Sequence, residues 1–123
     1  MVNKKLDKNN KEIGRWGEKK AKLFLEENGY DIITENFQVK QGEIDLIVKK
    51  ENFLVFVEVK TRKNNFFGPP QAAVNFEKQR KIRTIAKIFL LKNNFKSYKK
   101  RFDVISIIYD SEKLEIEHYK NTF

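Results

Sequence analysis

The chain has no cysteine and a single histidine, His118, among its 123 residues. These absences exclude disulfide bridges and thiolate zinc sites, and they leave one candidate residue for catalysis that depends on an imidazole. His118 lies in an alternating C-terminal stretch, where a surface or edge-strand side chain is the expected role. Any metal is therefore expected to have oxygen ligands, as hard cations such as Mg²⁺ or Mn²⁺ do.

Long apolar stretches are also missing. No run approaches the ~18 consecutive apolar residues of a membrane span, and the first residues, MVNKKLDKNNKE, lack the apolar segment of a secretory signal. We therefore expect a cytoplasmic protein with no membrane partner. The only two prolines, Pro69 and Pro70, follow Gly68 directly, which predicts one loop there.

Positive charge is abundant, because 26 Lys and Arg face 17 Asp and Glu and give a net charge of +9. This balance favours polyanionic partners. Hydrophobic residues make up 40% of the chain and include eleven Phe, which is enough for one core. We expect a single domain over residues 1–123, with residues 1–11 flexible.

The periodicity of apolar residues predicts two helices and five strands in the order αβββαββ. The first helix spans residues 12–28, with Gly29 just beyond its end, and the second begins at the N-cap Asn75. Strands are expected over residues 31–39, 43–50, 53–62, 101–109 and 113–119. The fold class is therefore α/β, with a mixed β-sheet flanked by helices.

The third strand, FVEVKTR, carries Glu58 and Lys60 among apolar residues. If it forms a hairpin with the second strand through a two-residue loop at 51–52, Asp45 lies opposite Glu58, and Glu43 lies opposite Lys60. Two carboxylates with Cβ atoms about 5 Å apart need a cation between them. An ordinary cross-strand ion pair on a solvated face is the alternative. Glu-Asn is not a favoured turn, so the register could also slip.

A third carboxylate, Glu18, borders the face of the first helix that should pack on the sheet. Gly14 and Gly17 flank it, and glycines inside a helix suggest that another group approaches closely. The alternative is a glutamate that only complements the helix dipole. Glu18, Asp45 and Glu58 could together hold one or two Mg²⁺ ions. Lys60 would orient water or stabilise charge on a phosphate, which is the chemistry of phosphodiester hydrolysis.

Five motifs occur in order between about Gly14 and Ile108: GRWGEKKAKLFLEENGY, GEIDLI, FVEVKTR, FGPPQAAV and RFDVISI. In this combination the chain resembles the YraN-like family of uncharacterised bacterial proteins, in the Holliday-junction-resolvase-like branch of the restriction-endonuclease superfamily. The resemblance implies a restriction-endonuclease-like core.

The same resemblance implies roles for four residues. Glu18 would be the helix carboxylate near the metal, Asp45 the principal metal ligand and Glu58 the second ligand. Lys60 would be the catalytic lysine. Glu43 matches the GEIDLI motif without a settled role, and it could pair with Lys60 or Arg62.

Residues 76–101 contain ten Lys or Arg and one acid, which predicts salt-dependent contact with nucleic acid phosphates. A solvated basic face is the alternative. Later in this segment Phe95 and Tyr98 lie among Lys96, Lys99, Lys100 and Arg101. Phe66 and Phe67, in the predicted loop, could touch a DNA strand or close the core. The candidate nucleic-acid-binding residues are Arg62, Lys63, Lys78, Arg80, Lys81, Arg83 and Lys87.

These features support the hypothesis of a Mg²⁺- or Mn²⁺-dependent DNA endonuclease that acts on branched or damaged DNA. A non-catalytic nucleic-acid-binding module that keeps the nuclease fold is the main alternative. A protein whose basic helix binds an acidic partner is another. A homodimer would suit a symmetric junction.

Overall fold

The computed structural model describes residues 10–63 and 75–123. The elements follow in the predicted order αβββαββ: α1 (Asn10–Glu27), β1 (Asp31–Val39), β2 (Gly42–Lys50), β3 (Phe53–Lys63), α2 (Phe76–Lys92), β4 (Lys99–Tyr109) and β5 (Leu114–Tyr119). Residues 10 and 11 belong to α1. Residues 1–9 lie outside the described part, so the expectation of a flexible segment over 1–11 stays a prediction. The predicted Gly68–Pro70 loop, with Phe66 and Phe67, lies outside it as well.

The five strands form one mixed sheet in the order β1-β2-β3-β4-β5. Strands β3 and β4 are parallel, and the other neighbours are antiparallel. The parallel pair requires a crossover, which contains α2. Strand β4 is buried or half-buried from Arg101 to Tyr109, and β5 lies at the edge of the sheet, as the alternating stretch around His118 predicted.

The two helices cover opposite faces of the sheet. Ala21 and Leu25 of α1 pack in one cluster with the valines of β3. Ile85 and Phe89 of α2 pack in the other cluster with Phe56. Successive side chains of a strand point to opposite sides, so β3 supplies both clusters. This arrangement confirms the mixed α/β fold expected from the sequence.

The β2–β3 hairpin has the predicted register as far as the pair Leu46–Val57. Its two-residue turn holds Glu51 at φ 54°, a left-handed conformation that is uncommon for a glutamate. Beyond Leu46 the expected continuation is wrong. Asp45 is not paired with Glu58 through the backbone, because its side-chain Oδ2 instead accepts a hydrogen bond from the Val59 amide at 2.8 Å. The two strands separate at this point.

The side-chain alternation of β2 also changes phase at Asp45. Ile44 and Ile47 belong to the cluster beneath α2, whereas Leu46 belongs to the cluster beneath α1. The pairing of β2 with β1 also skips Asp45. On β1 the residue skipped at the same point is Asn36, which has φ 48°. Such irregularities re-aim side chains and end strand pairing. The opening between β2 and β3 is therefore built by a local break in both neighbouring strand pairs.

Candidate active site

A cleft of about 690 Å³ lies where β2 leaves β3 and where α2 begins. Five carboxylates and three lysines line it: Glu18, Glu43, Asp45, Glu58 and Glu77, with Lys60, Lys78 and Lys81. Gln41, Gly42, Val59, Asn75, Ile82 and Ile85 complete the lining. All four residues predicted to form the catalytic site are therefore in one cavity.

Close packing of α1 against β3 brings Glu18 to the cleft. A Cβ added at Gly17 would overlap the hydroxyl of Thr61 on β3, so only glycine allows this approach. The interpretation of Gly14 as a second contact is wrong, because among the described residues a Cβ there would meet no atom within 4 Å beyond the backbone of its own helix. Partial burial raises the pKa of Glu18, a hydrogen bond from Asn36 opposes the rise, and nearby Glu43 and other acids add to it.

Asn36 joins two of the acids and was missed by the sequence analysis. Its Nδ2 donates to Glu18 Oε1 at 2.9 Å and to Glu43 Oε2 at 3.2 Å. Glu43 also accepts from Gln38 Nε2 at 3.2 Å, so amide side chains hold it instead of Lys60 or Arg62, the partners expected from the sequence. The available signal was an asparagine within a strand, where this residue is depleted and often marks an irregularity.

Asp45 is the most strongly perturbed acid of the cleft. Burial first, and then the charge of Glu58 and a hydrogen bond with it, raises the pKa of Asp45 to about 9, although the Val59 amide opposes the change. The charge of Glu18 raises it further. At neutral pH this carboxyl group therefore needs a proton or a cation close to it.

Glu58 is almost fully buried, at 5% exposure. Its Oε2 lies 2.8 Å from Nζ of Lys78, which reaches into the cleft from the first turn of α2. Lys78 was predicted as a contact to nucleic acid outside the catalytic site, and the structure brings it into that site. Burial opposes protonation of Lys78, but its contact with Glu58 raises its pKa above the ordinary value.

Lys60 follows Glu58 by two residues on β3 and points to the same side of the strand. Burial, followed by repulsion from the ammonium of Lys78, lowers the pKa of Lys60, while Glu58 and Asp45 oppose the change. The cleft therefore contains two neighbouring ammonium groups beside its carboxylates. Such a mixed arrangement can hold a cation and an anion at adjacent positions.

The acidic residues could hold a metal ion. Glu18, Glu43 and Asp45 each offer one carboxylate oxygen, and these oxygens all lie within 4.8 Å of one another. Oxygen ligands of an octahedral Mg²⁺ are about 3–4 Å apart, so small side-chain movements would bring them into range. The raised pKa of Asp45 is the second sign of a fit, because a divalent cation would offset the crowding of negative charge.

The predicted nucleic-acid-binding residues of α2 lie in three different environments. Lys78 and Lys81 line the cleft, whereas Arg80 and Lys87 are exposed on the outer side of the helix. Arg83 lies over the rings of Phe102 and Phe123, 5.9 Å and 5.6 Å from their centroids. At the end of β3, Arg62 is half-buried and Lys63 is exposed.

In the basic segment after α2, the two aromatic residues pack against other rings of the protein. Phe95 stacks on Phe89 with ring centroids 5.8 Å apart, and Tyr98 contacts Phe95 edge to face. Lys96, Lys99 and Lys100 are exposed. Arg101 instead forms a buried ion pair, 2.9 Å from Asp103.

Asp103 and His118 form a second polar cluster, on the α1 face of the sheet. Nε2 of His118 lies 2.7 Å from Asp103 Oδ2, and the histidine side chain is 9% exposed. His118 lies on edge strand β5, which was one of the two positions expected for it, and its side chain is not at the surface. Burial alone would raise the pKa of Asp103, but hydrogen bonds from His118, Arg101 and the Asn121 amide keep it below its ordinary value.

Fold and cleft together define a mixed α/β protein with a carboxylate cluster and lysines where two strands separate. The chain belongs to the uncharacterised protein family UPF0102, whose family model matches residues 17–107. This is the family expected from the five motifs. Within the described residues, no helix is long and apolar enough to cross a membrane.

Relatives in this family match almost the whole chain. The UPF0102 protein of Caldanaerobacter subterraneus subsp. tengcongensis is 48% identical over 118 residues, which are 94% of this chain and 97% of the relative. A UPF0102 protein of Natranaerobius thermophilus is 46% identical over 118 residues, with 94% and 99% covered. One from Clostridioides difficile is 45% identical over 115 residues, also with 94% and 99% covered.

Proposed function

We propose that the cleft is the active site of a metal-dependent endonuclease that hydrolyses phosphodiester bonds of DNA, with branched DNA as its substrate. The observation that carries the proposal is the meeting of Glu18, Asp45, Glu58 and Lys60 in one cavity. Carboxylates alone suit a structural cation, and lysines alone suit an anion. Both together suit a cation and a phosphate held side by side.

The cofactor in this proposal is Mg²⁺ or Mn²⁺, because the cleft offers oxygen ligands only. Asp45, Glu58 and Glu18 are the proposed ligands, and Glu43 offers a further oxygen next to Asp45. When bound, the cation supplies Lewis-acid stabilisation of the negative charge on the phosphate.

The side chains of the protein have distinct tasks in the proposed reaction. The backbone amide of Val59 fixes one oxygen of Asp45. The side-chain amide of Asn36 keeps Glu18 beside Glu43. Lys60 is the proposed catalytic lysine, which donates hydrogen bonds to the phosphate as charge develops in the transition state. These contacts fix the geometry before the substrate arrives, which lowers the cost of reaching the transition state.

The basic residues around the cleft would bind the phosphates that flank the cleaved bond. Arg80 and Lys87 are exposed on α2, and Lys63 is exposed at the end of β3. Contacts of this kind bind any sequence and weaken steeply with salt, which suits an enzyme that recognises DNA shape. The proposed compartment is the cytoplasm. A homodimer would present two cleavage sites to a junction with twofold symmetry.

The test is incubation of branched, nicked and single-stranded DNA with Mg²⁺ or Mn²⁺, with Glu58→Ala beside the wild type. We expect the wild type to cut branched DNA only with a cation, and the variant to lose at least about 100-fold in rate. Glu27→Gln is the matched control, because Glu27 is exposed at the end of α1, about 13 Å along the helix from Glu18.

Two results would contradict the proposal. Cleavage that survives in Glu58→Ala would come from a contaminating nuclease. Salt-sensitive binding of DNA without cleavage, and without any cation effect, would favour the non-catalytic binding module instead.

A further inference from the structure

We propose that Lys78 exchanges partners during the reaction. In the metal-free protein its ammonium neutralises Glu58, and when a divalent cation binds Glu58, the ammonium turns to the DNA phosphate in the cleft. The inference rests on the proposed function and adds a residue from α2 to the catalytic machinery.

The contact itself is the first observation. Lys78 Nζ lies 2.8 Å from Glu58 Oε2, a distance typical of a charge-assisted hydrogen bond. A cation that binds the same carboxylate oxygen would stand within a few ångströms of the ammonium and repel it. Lys60 is close on the other side and adds a second positive charge. Cation and Lys78 therefore compete for Glu58.

The position of Lys78 on α2 allows the exchange. Its backbone amide donates to Oδ1 of the N-cap Asn75 at 2.8 Å, so the base of the side chain is fixed. The side chain is 44% exposed, and its four-carbon stem can rotate toward the open part of the cleft. The fixed backbone and mobile ammonium suit a residue with two alternative partners.

The destination of the ammonium is an anion-binding region. Asn75, at the start of α2, lines the cleft, and the positive end of the helix dipole there favours negative groups, although Glu77 of the same turn also lines the cleft. Lys81 lies one turn after Lys78 and lines the same cavity. A phosphate beside the metal would thus meet Lys60, Lys78 and Lys81. The lysine released from Glu58 has a new partner within the same cleft.

Lys78→Met keeps the length of the side chain and removes its charge. Partner exchange predicts that this variant binds Mn²⁺ more tightly and gains less affinity for DNA when a cation is present. Mn²⁺ binding, measured by calorimetry without DNA, should become tighter by about tenfold, because the competing ammonium is gone. Lys78→Arg should keep the competition. Lys113→Met, which changes an exposed lysine in the turn before β5, should leave Mn²⁺ affinity unchanged.

DNA affinity supplies the second readout. A labelled four-way junction is titrated with protein, first without a cation and then with Ca²⁺, which uses the same type of oxygen ligands. Without a cation, Lys78→Met should bind the junction as the wild type does, because Lys78 is held by Glu58. With Ca²⁺, the wild type should gain several-fold more affinity than the variant.

The outcomes separate this inference from the proposed function. Suppose that Mn²⁺ binds the wild type, that this binding requires Asp45, and that Lys78→Met leaves the affinity unchanged. The partner exchange is then wrong, while the metal site stands. If Mn²⁺ binds neither the wild type nor any variant, the partner exchange and the proposed metal site fail together. Thermal unfolding of each variant is measured alongside, and Lys78→Arg provides a charge-preserving comparison if the methionine variant folds poorly.

Discussion

Two buried aspartates, Asp103 and Asp45, have opposite surroundings. Asp103 is fully buried yet has a lowered pKa, because Arg101, His118 and the Asn121 amide all donate to it. Asp45 has a pKa raised to about 9, first because of burial and then because Glu58 and Glu18 are its neighbours. Burial acts to raise the pKa of both residues, so it does not by itself explain their difference. The number of hydrogen-bond donors and the sign of the nearest charges decide which carboxyl group is stable in its ionised form.

The difference assigns the two clusters different roles. Asp103 has partners within the chain and ties β4 to β5 and to the C-terminal residues, so its role is structural. The acids of the cleft repel one another and have too few donors, which is unfavourable unless another group balances them. Unbalanced buried charge of this kind is typical of a site that binds a cation or carries out catalysis.

The largest expected effect is on stability, when each aspartate is changed to asparagine. Asp103→Asn should lower the free energy of unfolding by about 3–5 kcal/mol, because it leaves the half-buried Arg101 charge without its partner. Asp45→Asn should not lower it, because it removes repulsion and keeps an acceptor for Val59. Urea unfolding of the metal-free protein measures both. Equal losses in the two variants would contradict the comparison.

An effect of pH is also expected, with opposite signs for the two residues. The raised folded-state pKa of Asp45 contributes stability that is complete below about pH 4 and is lost as the pH rises toward 9. The loss is at most about 1.4 kcal/mol per pH unit for one proton. The lowered pKa of Asp103 contributes stability that is lost only as the pH falls below about 4.

Thermal unfolding between pH 4 and pH 9 tests these signs in the metal-free protein. Asp45→Asn should flatten the decline at rising pH. A wild-type stability that increases steadily over this range, or a decline that the substitution leaves intact, would contradict the assignment of the raised pKa to Asp45.

The smallest effects concern the glycines that flank Glu18. Gly17→Ala should cost about 1–3 kcal/mol, because the new Cβ overlaps Thr61 and pushes α1 from the sheet. Gly14→Ala should stabilise the protein by about 0.5–1 kcal/mol, because alanine is the better helix former and the space is open. Chemical unfolding gives both values. Cation affinity should fall only in Gly17→Ala, since that change displaces Glu18.

Much of the fold was predictable because local patterns and tertiary packing agree. The apolar residues of β3 predicted a strand, and the N-cap Asn75 predicted where α2 begins. The register of the hairpin followed from the length of its turn. These features depend on residues close in sequence, which is why the sequence alone predicts them.

The details of the cleft depend on irregularities that sequence periodicity does not contain. The change of phase at Asp45, the left-handed Asn36 and the hydrogen bond from Val59 all replace regular ladder pairs. The ion pair between Lys78 and Glu58 joins elements whose relative position is set by the whole core. A basic helix likewise gives no sign of which lysines face a cavity and which face solvent.

The most direct test of the central claim is calorimetric titration of Mn²⁺ into the metal-free protein at pH 7, in buffers with different enthalpies of ionisation. If the cleft acids form a cation site, Mn²⁺ binds and releases about one proton per ion, because Asp45 must lose its proton to become a ligand. Asp45→Asn should lose that proton release and most of the affinity. Binding that is absent at millimolar Mn²⁺, or that is the same in both proteins, would contradict the claim.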